Sequence, residues 1–235
     1  MAKPFQYKHF KVVQDKTPMK VGTDGVLIGA WSDGSGKQNC LDIGTGTGLI
    51  SLMLAQRYSN LSITGIELNE GAFENAKTNF NNSQWTDRLK AVGSDLNHFT
   101  TSDSYDLIIS NPPFFINSEK NQETGKTTAR HTDSLSFEDI INFANQHLNS
   151  QGQLDIVLPV VEGNIFIGLA KNKDLHLNRI CKVSSKQYKK PHRLLMSFSK
   201  KRSDVKQEAL TIELHGRHQY TLNYRALTKD FYLKF

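Results

Sequence analysis

The stretch "CLDIGTGTGLISLMLAQRY" (residues 40–58) decides the fold. Residues 40–43 form a short apolar run that predicts a buried strand, and the residues after the glycines have helical character. Glycines at a strand-to-helix junction let the backbone approach a ligand closely and leave the amides of the helix start free to donate. The stretch therefore predicts a strand, a ligand-binding turn and a helix, in that order.

Strand and helix signals alternate from there to about residue 160. The pattern predicts strands at 61–68, 88–96, 105–110 and 152–159, a helix at 70–80, and another behind a capping box at 136–139. Such alternation predicts an α/β fold, a Rossmann-like parallel sheet flanked by helices. The segments "LHLNRICKV", "RLLMSFS" and "ALTIEL" follow with short connections and predict antiparallel strands at the carboxyl-terminal edge.

Two acidic residues follow the glycine turn at informative positions. Glu67 ends the second predicted strand, 21 residues after Gly46, where nucleotide-binding sheets hold a ribose diol. Asp95 stands near the end of the third predicted strand. A dinucleotide site would need a glycine at position 49, which is Leu49, so the spacing argues against a dinucleotide.

Composition excludes several classes of protein. The 235 residues are 37% hydrophobic and 22% charged, and no apolar run approaches the roughly 20 residues of a membrane span. The first residues lack the apolar core of a secretory leader. Two cysteines show no metal-binding spacing. We expect a soluble, cytoplasmic protein without a membrane segment or a metal.

Charge is distributed unevenly along the chain. Residues 1–170 contain 13 Lys and Arg against 18 Asp and Glu, whereas residues 171–235 contain 16 against 5. The stretch "KVSSKQYKKPHRLLMSFSKKR" (182–202) also places Tyr188, His192 and Phe198 among its cations. Cations bind phosphates and rings stack on bases, so this region predicts a nucleic-acid surface. The predicted contacts are Lys186, Lys189, Lys190, Arg193, Lys200, Lys201 and Arg202.

The stretch "SNPPFF" (110–115) follows the strand predicted at 105–110. Two prolines cannot continue a strand, so Asn111 is expected at its carboxyl end, held by a stiff backbone. A tight turn sealed by a phenylalanine would explain the same residues. The position of the stretch, at the edge that carries the glycine turn, favours a functional role.

Two of these motifs resemble those of known enzymes. "DIGTGTG" (42–48) resembles the first motif of class I S-adenosylmethionine-dependent methyltransferases, and "NPPF" (111–114) resembles the signature of methyltransferases that act on planar amides or exocyclic amines. The resemblance implies that the Asn111 side chain and the Pro112 carbonyl hold the amine hydrogens while Phe114 stacks on the base. It implies S-adenosylmethionine as cofactor, contacted by Thr23, Asp42, Gly44, Thr45, Gly46, Glu67, Leu68, Asp95, Leu96 and Asn111.

Three further blocks narrow the resemblance. Residues 5–31, 129–137 and 227–235 are similar to the tRNA(Val) adenine-37 N6-methyltransferases. The resemblance implies that the chain methylates the N6 amine of an adenine in tRNA, with that base flipped out of its stack. We expect one globular domain and a monomer, in which residues 1–36 pack on the methyltransferase core (37–235) and close the cofactor site.

Several alternatives remain open at this point. A guanine-N2 methyltransferase of ribosomal RNA would share the basic surface. A glutamine-N5 methyltransferase of release factors usually has Asn-Pro-Pro-Tyr and a separate helical domain before the core. A non-catalytic RNA-binding protein would have lost the cofactor acids or Asn111. In the 117–134 loop, Arg130 and His131 suit a clamp on a phosphate, a cover for the cofactor or a solvated helix lead-in.

Overall fold

The computed structural model of the chain describes residues 3–17, 19–113 and 135–234. Its strands are β1 (Phe5–Gln6), β2 (Lys11–Val12), β3 (Asn39–Ile43), β4 (Ser62–Glu67), β5 (Leu89–Gly93), β6 (Tyr105–Ser110), β7 (Leu148–Pro159), β8 (His176–Lys186), β9 (Arg193–Ser199) and β10 (Lys206–Glu213). Its helices are α1 (Thr23–Trp31), α2 (Leu49–Arg57), α3 (Glu70–Asn81), α4 (Phe137–His147), α5 (Val160–Lys171) and α6 (Leu222–Thr228).

Eight strands form one mixed sheet in the order β10-β8-β9-β7-β6-β3-β4-β5. The central strands β7, β6, β3, β4 and β5 pair in parallel. Their apolar runs reflect burial on both faces: Leu107 and Ile109 of β6 pack in one core cluster and Ile108 in the other. Helices α1, α2, α3 and α6 contribute to the first cluster, and α4 and α5 to the second. The predicted Rossmann-like architecture is confirmed.

The antiparallel addition at the carboxyl-terminal edge is also confirmed, and it centres on β9. This strand pairs antiparallel with both β7 and β8, whereas β10 pairs in parallel with β8. Helix α5 connects β7 to β8 as a crossover, and the chain then returns as β9 into the space between them. The direction of β9 consequently reverses relative to every other strand of this sheet.

Glycines in the turn after β3 serve two different purposes. Gly44, Gly46 and Gly48 all have positive φ, of 69°, 59° and 79°. A Cβ added to Gly48 would lie 2.4 Å from Cε1 of Phe80, which is fully buried in the core. Gly48 therefore allows α2 to pack against α3, while the other two glycines face open space.

The amino-terminal segment is fastened to α3. Asn79 exchanges two backbone hydrogen bonds with Val13, at 2.8 and 2.9 Å, and also donates to the Thr47 carbonyl in the glycine turn. A side chain on Gly71 would meet the Lys16 carbonyl oxygen at 2.3 Å, so the segment crosses α3 where that helix lacks a side chain. These contacts hold residues 13–16 against α3. The expected packing of residues 1–36 as a unit, and their closing of the cofactor site, stay predictions.

Two features bear on the classes excluded above. Among the residues the structure describes, no helix is long and apolar enough to cross a membrane. Within the same ranges, no group of three or more His, Cys, Asp or Glu side chains is arranged to hold a metal ion.

Gly48→Ala is expected to destabilise the fold more than Gly36→Ala. Both variants place alanine in the left-handed region, at a cost of about 1–2 kcal/mol. Only the Gly48 variant adds an overlap with Phe80, worth a further 1–3 kcal/mol, roughly; a Cβ on Gly36 meets nothing within 4 Å. Urea unfolding of both variants measures the difference, and equal losses of stability would contradict the packing role of Gly48.

Candidate active site

The predicted site residues on the core strands meet at one edge of the sheet. Asp42 precedes the end of β3, Glu67 ends β4, and Asn111 directly follows β6. Because parallel strands end at a common edge, residues distant in sequence come together there. The Gly46 N–H donates to Glu67 Oε2 at 2.8 Å, and the Ser110 hydroxyl donates to the Ile43 carbonyl at 2.8 Å. This edge is called the carboxyl edge below.

The glycine turn leaves room for a ligand. A Cβ built on Gly44 or on Gly46 would meet nothing within 4 Å, in contrast to Gly48. Both residues are half-buried and have the positive φ that side chains disfavour, so any other residue would be strained there. A backbone surface of this kind fits the close approach of a small molecule.

Asp42 is fully buried beside the turn. Its Oδ2 accepts hydrogen bonds from the hydroxyls of Thr45 and Ser51, both at 2.7 Å. Its Oδ1 is buried without a partner among the described residues. Burial raises the pKa of this carboxyl to about 6, although the two hydroxyl bonds act in the opposite direction. An unpartnered buried carboxylate oxygen is costly, and a donor from a ligand would satisfy it.

Glu67 closes the turn from the neighbouring strand. Its Oε2 accepts from the Gly46 N–H and its Oε1 from the Asn69 N–H, each at 2.8 Å. The following residue, Leu68, is 56% exposed, which offers an apolar surface at the edge of the site. The carboxylate is therefore held in place before any ligand binds, with lone pairs left to accept further hydrogen bonds.

Asp95 caps a short helical turn. Its side chain accepts from the Asn97 N–H at 3.2 Å and lies 3.1 Å from Nδ1 of His98. Leu96 behind it is buried. These contacts give Asp95 a structural role, and its expected contact with the cofactor stays a prediction.

Asn111 projects into the carboxyl edge beneath the start of α1. Its Oδ1 is buried and has no partner among the described residues. A Cβ on Gly25 would lie 4.0 Å from its Nδ2, and Thr23 begins the same helix. Pro112 is buried behind it. Phe114, Arg130 and His131 lie outside the described residues, so the roles expected of them are not tested.

An ion pair that the sequence did not predict holds the start of α1 against the start of β9. The Arg193 Nε donates to Asp24 Oδ2 at 2.8 Å, and both side chains are largely shielded from solvent. No sequence signal joined these two residues, which stand 169 positions apart. Arg193 thus already has a carboxylate partner, and its predicted contact with RNA would have to compete with it.

Ser51 was also missed. It lies in the first turns of α2, where its hydroxyl reaches Asp42. A buried polar residue on an otherwise apolar helix face was the available signal, because such a group needs a partner.

The predicted basic surface is divided between the two edges of the sheet. Lys186 ends β8 at the carboxyl edge, and Lys189 and Lys190 follow in the turn (187–192) that leads into β9. Lys200, Lys201 and Arg202 come after the far end of β9, where the Lys200 Nζ donates to the Leu148 carbonyl at 2.6 Å. Phe198 is fully buried, so the expectation that its ring is available to a base is wrong.

Comparison with known proteins identifies the family to which the chain belongs. Residues 25–163 match the family model described as the methyltransferase small domain. A tRNA1(Val) (adenine(37)-N6)-methyltransferase of Flavobacterium psychrophilum is 43% identical over 98% of this chain and 99% of its own length. Its namesake in Vibrio vulnificus is 41% identical over 99% and 96%. The chain belongs to the tRNA1(Val) (adenine(37)-N6)-methyltransferase family.

Solved structures agree on the fold of this family member. The predicted O-methyltransferase from Agrobacterium tumefaciens has a TM-score of 0.69 at 18% identity and covers 88% of this chain and 96% of that one. A TehB-like S-adenosylmethionine-dependent methyltransferase from Corynebacterium glutamicum has a TM-score of 0.50 at 21% identity, over 78% and 90%. The predicted family is confirmed, and with it S-adenosylmethionine as the cofactor.

Asp42→Asn is expected to raise stability at neutral pH. The unfolded carboxyl releases its proton near 3.8 and the folded one near 6, so folding of the wild type weakens as pH rises through that window. About two pKa units correspond to about 3 kcal/mol as an upper bound. Asparagine keeps an oxygen for Thr45 and Ser51, so the variant should lose this penalty.

Chemical denaturation across pH measures this difference. The stability gap between Asp42→Asn and the wild type should close as pH falls towards 3.8, the ordinary carboxyl value. Asp106→Asn is the control: burial disfavours the Asp106 carboxylate, but bonds from the Gln38 and Asn39 amides outweigh this and lower its pKa, so its gap has the opposite sign. A gap for Asp42→Asn that ignores pH would contradict the burial argument.

Proposed function

We propose that this protein transfers the methyl group of S-adenosylmethionine to the N6 amine of adenine 37 in tRNA1(Val). The observation that carries the proposal is the buried Asn111 oxygen at the end of β6, which has no partner among the described residues and lies beside a turn suited to the cofactor. Relatives with this name share about two fifths of its residues over nearly the whole chain, which supports the nucleotide assignment.

The cofactor would be held by the residues around the glycine turn. The half-buried backbone of Gly44 and Gly46, which faces open space, fits its methionine part. The Asp42 Oδ1, without a partner among the described residues, is an acceptor for a donor group. Glu67 has the position and charge to accept from the ribose hydroxyls, and Leu68 offers an apolar surface to the adenine. When bound, S-adenosylmethionine supplies a methyl group made electrophilic by its sulfonium.

Asn111 would position the amine that receives the methyl group. The lone pair of an adenine N6 amine is delocalised into the ring, which makes the nitrogen a poor nucleophile. An acceptor fixed beside its hydrogens favours the pyramidal nitrogen that forms as the N–C bond is made and a proton is lost. The buried Oδ1 provides such an acceptor, and Pro112 restricts its motion. Proximity and orientation would then supply much of the rate.

The turn 187–192, called the basic turn below, would hold the RNA at the same edge together with Lys186. Lys186, Lys189 and Lys190 form no salt bridge within the ranges that the structure describes, so their charges are available to phosphates. They belong to the strand end and turn that rise beside the carboxyl edge. Lys200, Lys201 and Arg202 lie at the opposite edge, where they cannot contact RNA bound over Asn111 without a much larger footprint.

We also propose that the enzyme acts as a monomer in the cytoplasm, where its tRNA substrate is found. Sedimentation analysis at working concentration tests the first point, and a dimer would contradict it.

Asn111→Ala is expected to abolish methyl transfer while leaving the affinity for S-adenosylmethionine within a few-fold. Loss of the acceptor removes the orientation of the amine without touching the glycine turn. The measurement is incubation with labelled cofactor and total tRNA, followed by nucleoside analysis for N6-methyladenosine. Asn39→Ala, an exposed position at the opposite edge, is the control. An active Asn111→Ala enzyme, or label recovered in a methylated guanosine instead of N6-methyladenosine, would contradict the proposal.

Neutralising the carboxyl-edge cations is expected to weaken tRNA binding and flatten its dependence on salt. Each lost phosphate contact lowers the slope of log K against log salt by about 0.7–0.9. The triple variant Lys186→Ala, Lys189→Ala, Lys190→Ala should show this change. The matched triple Lys200→Ala, Lys201→Ala, Arg202→Ala should keep the wild-type slope. The reverse pattern would place the RNA at the other edge.

A further inference from the structure

Tyr188 stands at the tip of the turn that joins β8 to β9, and its ring is 88% exposed. Its backbone is left-handed, with φ of 68°. A bulky residue adopts this conformation rarely, at a cost of about 1–2 kcal/mol. Among the described residues the only ring it contacts is that of His215, which gives little packing in return for this cost, so the position suggests a use outside the fold.

The turn is braced by backbone hydrogen bonds on three sides. The Gln187 N–H donates to the Glu213 carbonyl of β10, the Lys189 N–H to the Lys186 carbonyl, and the His192 N–H to the Val183 carbonyl, at 3.1, 3.1 and 2.9 Å. The ring is therefore presented by a fixed framework, and its display costs little further entropy on binding.

A second aromatic ring lies beside that of Tyr188 and forms a surface with it. His215, in the turn after β10, lies with its ring centroid 6.4 Å from that of Tyr188, at an interplanar angle of 26°. This separation and angle fall in the range of offset-stacked rings. Lys189 and Lys190 flank the tip, and both are exposed. Flat rings bordered by cations are the combination that binds unpaired nucleotides: bases stack on the rings and phosphates meet the charges.

The strand register shows where this surface stands. Ile156 of β7 pairs with Ser110 of β6, and Pro159, three residues on, pairs with Arg193 of β9. Arg193 in turn pairs with Val183, and β8 continues three residues past it to Lys186. The turn thus lies about 20 Å beyond Ser110, measured along the strands.

The sheet order adds a sideways separation. Strands β9 and β7 stand between β8 and β6, so three strand spacings, about 14 Å, separate the turn from the strand that carries Asn111. The ring consequently cannot stack on the adenine that Asn111 would hold. It borders the same edge at a distance that suits a different nucleotide of the same RNA.

We propose that Tyr188 stacks on a second, unpaired base of the tRNA, distinct from the methylated adenine. This proposal rests on the proposed function, because it requires an RNA at the carboxyl edge. The stack anchors the tRNA without reading the identity of the base, while the adjacent lysines hold its phosphates. Tyr188 is thus a binding and positioning residue: it sets where the RNA lies and takes no part in the transfer itself.

Kinetics with full-length tRNA test the proposal through two variants of one residue. Tyr188→Ala removes the ring and is expected to raise KM for tRNA by about 5- to 150-fold, since stacking on one base is worth about 1–3 kcal/mol. Tyr188→Phe keeps the ring and should stay within about two-fold of wild type. In both variants kcat at saturating tRNA and the affinity for S-adenosylmethionine should remain unchanged. Urea midpoints confirm that both are folded.

Salt dependence separates stacking from charge. Tyr188→Ala should bind tRNA more weakly at every salt concentration with the wild-type slope, because no phosphate contact is lost. A tRNA carrying 2-aminopurine at single unpaired positions other than the methylated one should show quenching by wild type and by Tyr188→Phe at one position, and Tyr188→Ala should abolish it.

The outcomes distinguish this proposal from the proposed function. If the wild type methylates tRNA and Tyr188→Ala keeps the wild-type KM, the stacking proposal is overturned and the proposed function stands. Equal losses in Tyr188→Phe and Tyr188→Ala would also overturn it, since the hydroxyl rather than the ring would then matter. If the wild type forms no N6-methyladenosine in any tRNA, the proposed function itself fails.

Discussion

A buried carboxylate at the end of β3 holds the glycine turn in place. Asp42 accepts hydrogen bonds from Thr45 in the turn and from Ser51 in α2, so one side chain ties strand, turn and helix together. Thr45 in turn fills the space above Gly65 of the neighbouring strand, where any Cβ would lie 2.8 Å from its hydroxyl. The glycine backbone can stay open to the cofactor because Thr45 and Asp42 hold the other side of the turn in place. Burying the Asp42 charge is costly, but its oxygen is a strong acceptor for the hydroxyls that fix the turn.

A second constraint joins the part of the carboxyl edge near Asn111 to the part that carries the basic turn. The ion pair between Asp24 and Arg193 connects the first turn of α1, which lies over Asn111, to the first residue of β9. The basic turn is rooted at that same residue. A shift of the basic turn would therefore move the start of α1, beside Asn111, through the hydrogen-bonded side chains of Arg193 and Asp24.

Much of the site was predictable because parallel strands order their ends automatically. Once alternating strands and helices were recognised, Asp42, Glu67 and Asn111 had to reach one edge, whatever the details of packing. The location of the basic residues was not predictable in this way. Their closeness in sequence indicated one surface, but a strand of seven residues, β9, stands between Lys190 and Lys200 and carries them to opposite edges.

The remaining errors and omissions concern tertiary pairing. Phe198 alternates inward on β9 and is buried, which its neighbouring lysines could not reveal. The partners of Arg193 and of Val13 are 169 and 66 residues away, and no local pattern predicts pairings of that range. The positive φ of Tyr188 likewise depends on its bracing by β10, which sequence propensity does not encode.

The amino-terminal segment depends on residues made much later. The Lys8 N–H donates to the Phe231 carbonyl, and the ring of Tyr7 stacks on that of Tyr232 at 5.9 Å. During synthesis the sheet can assemble strand by strand as it leaves the ribosome. The contacts of Tyr7 and Lys8 must wait for more than 200 further residues, since Lys8 and Lys229 are 221 positions apart, whereas Val13 can already bond to Asn79. A nascent chain halted before residue 229 can therefore form its sheet and glycine turn while Tyr7 and Lys8 still lack these partners.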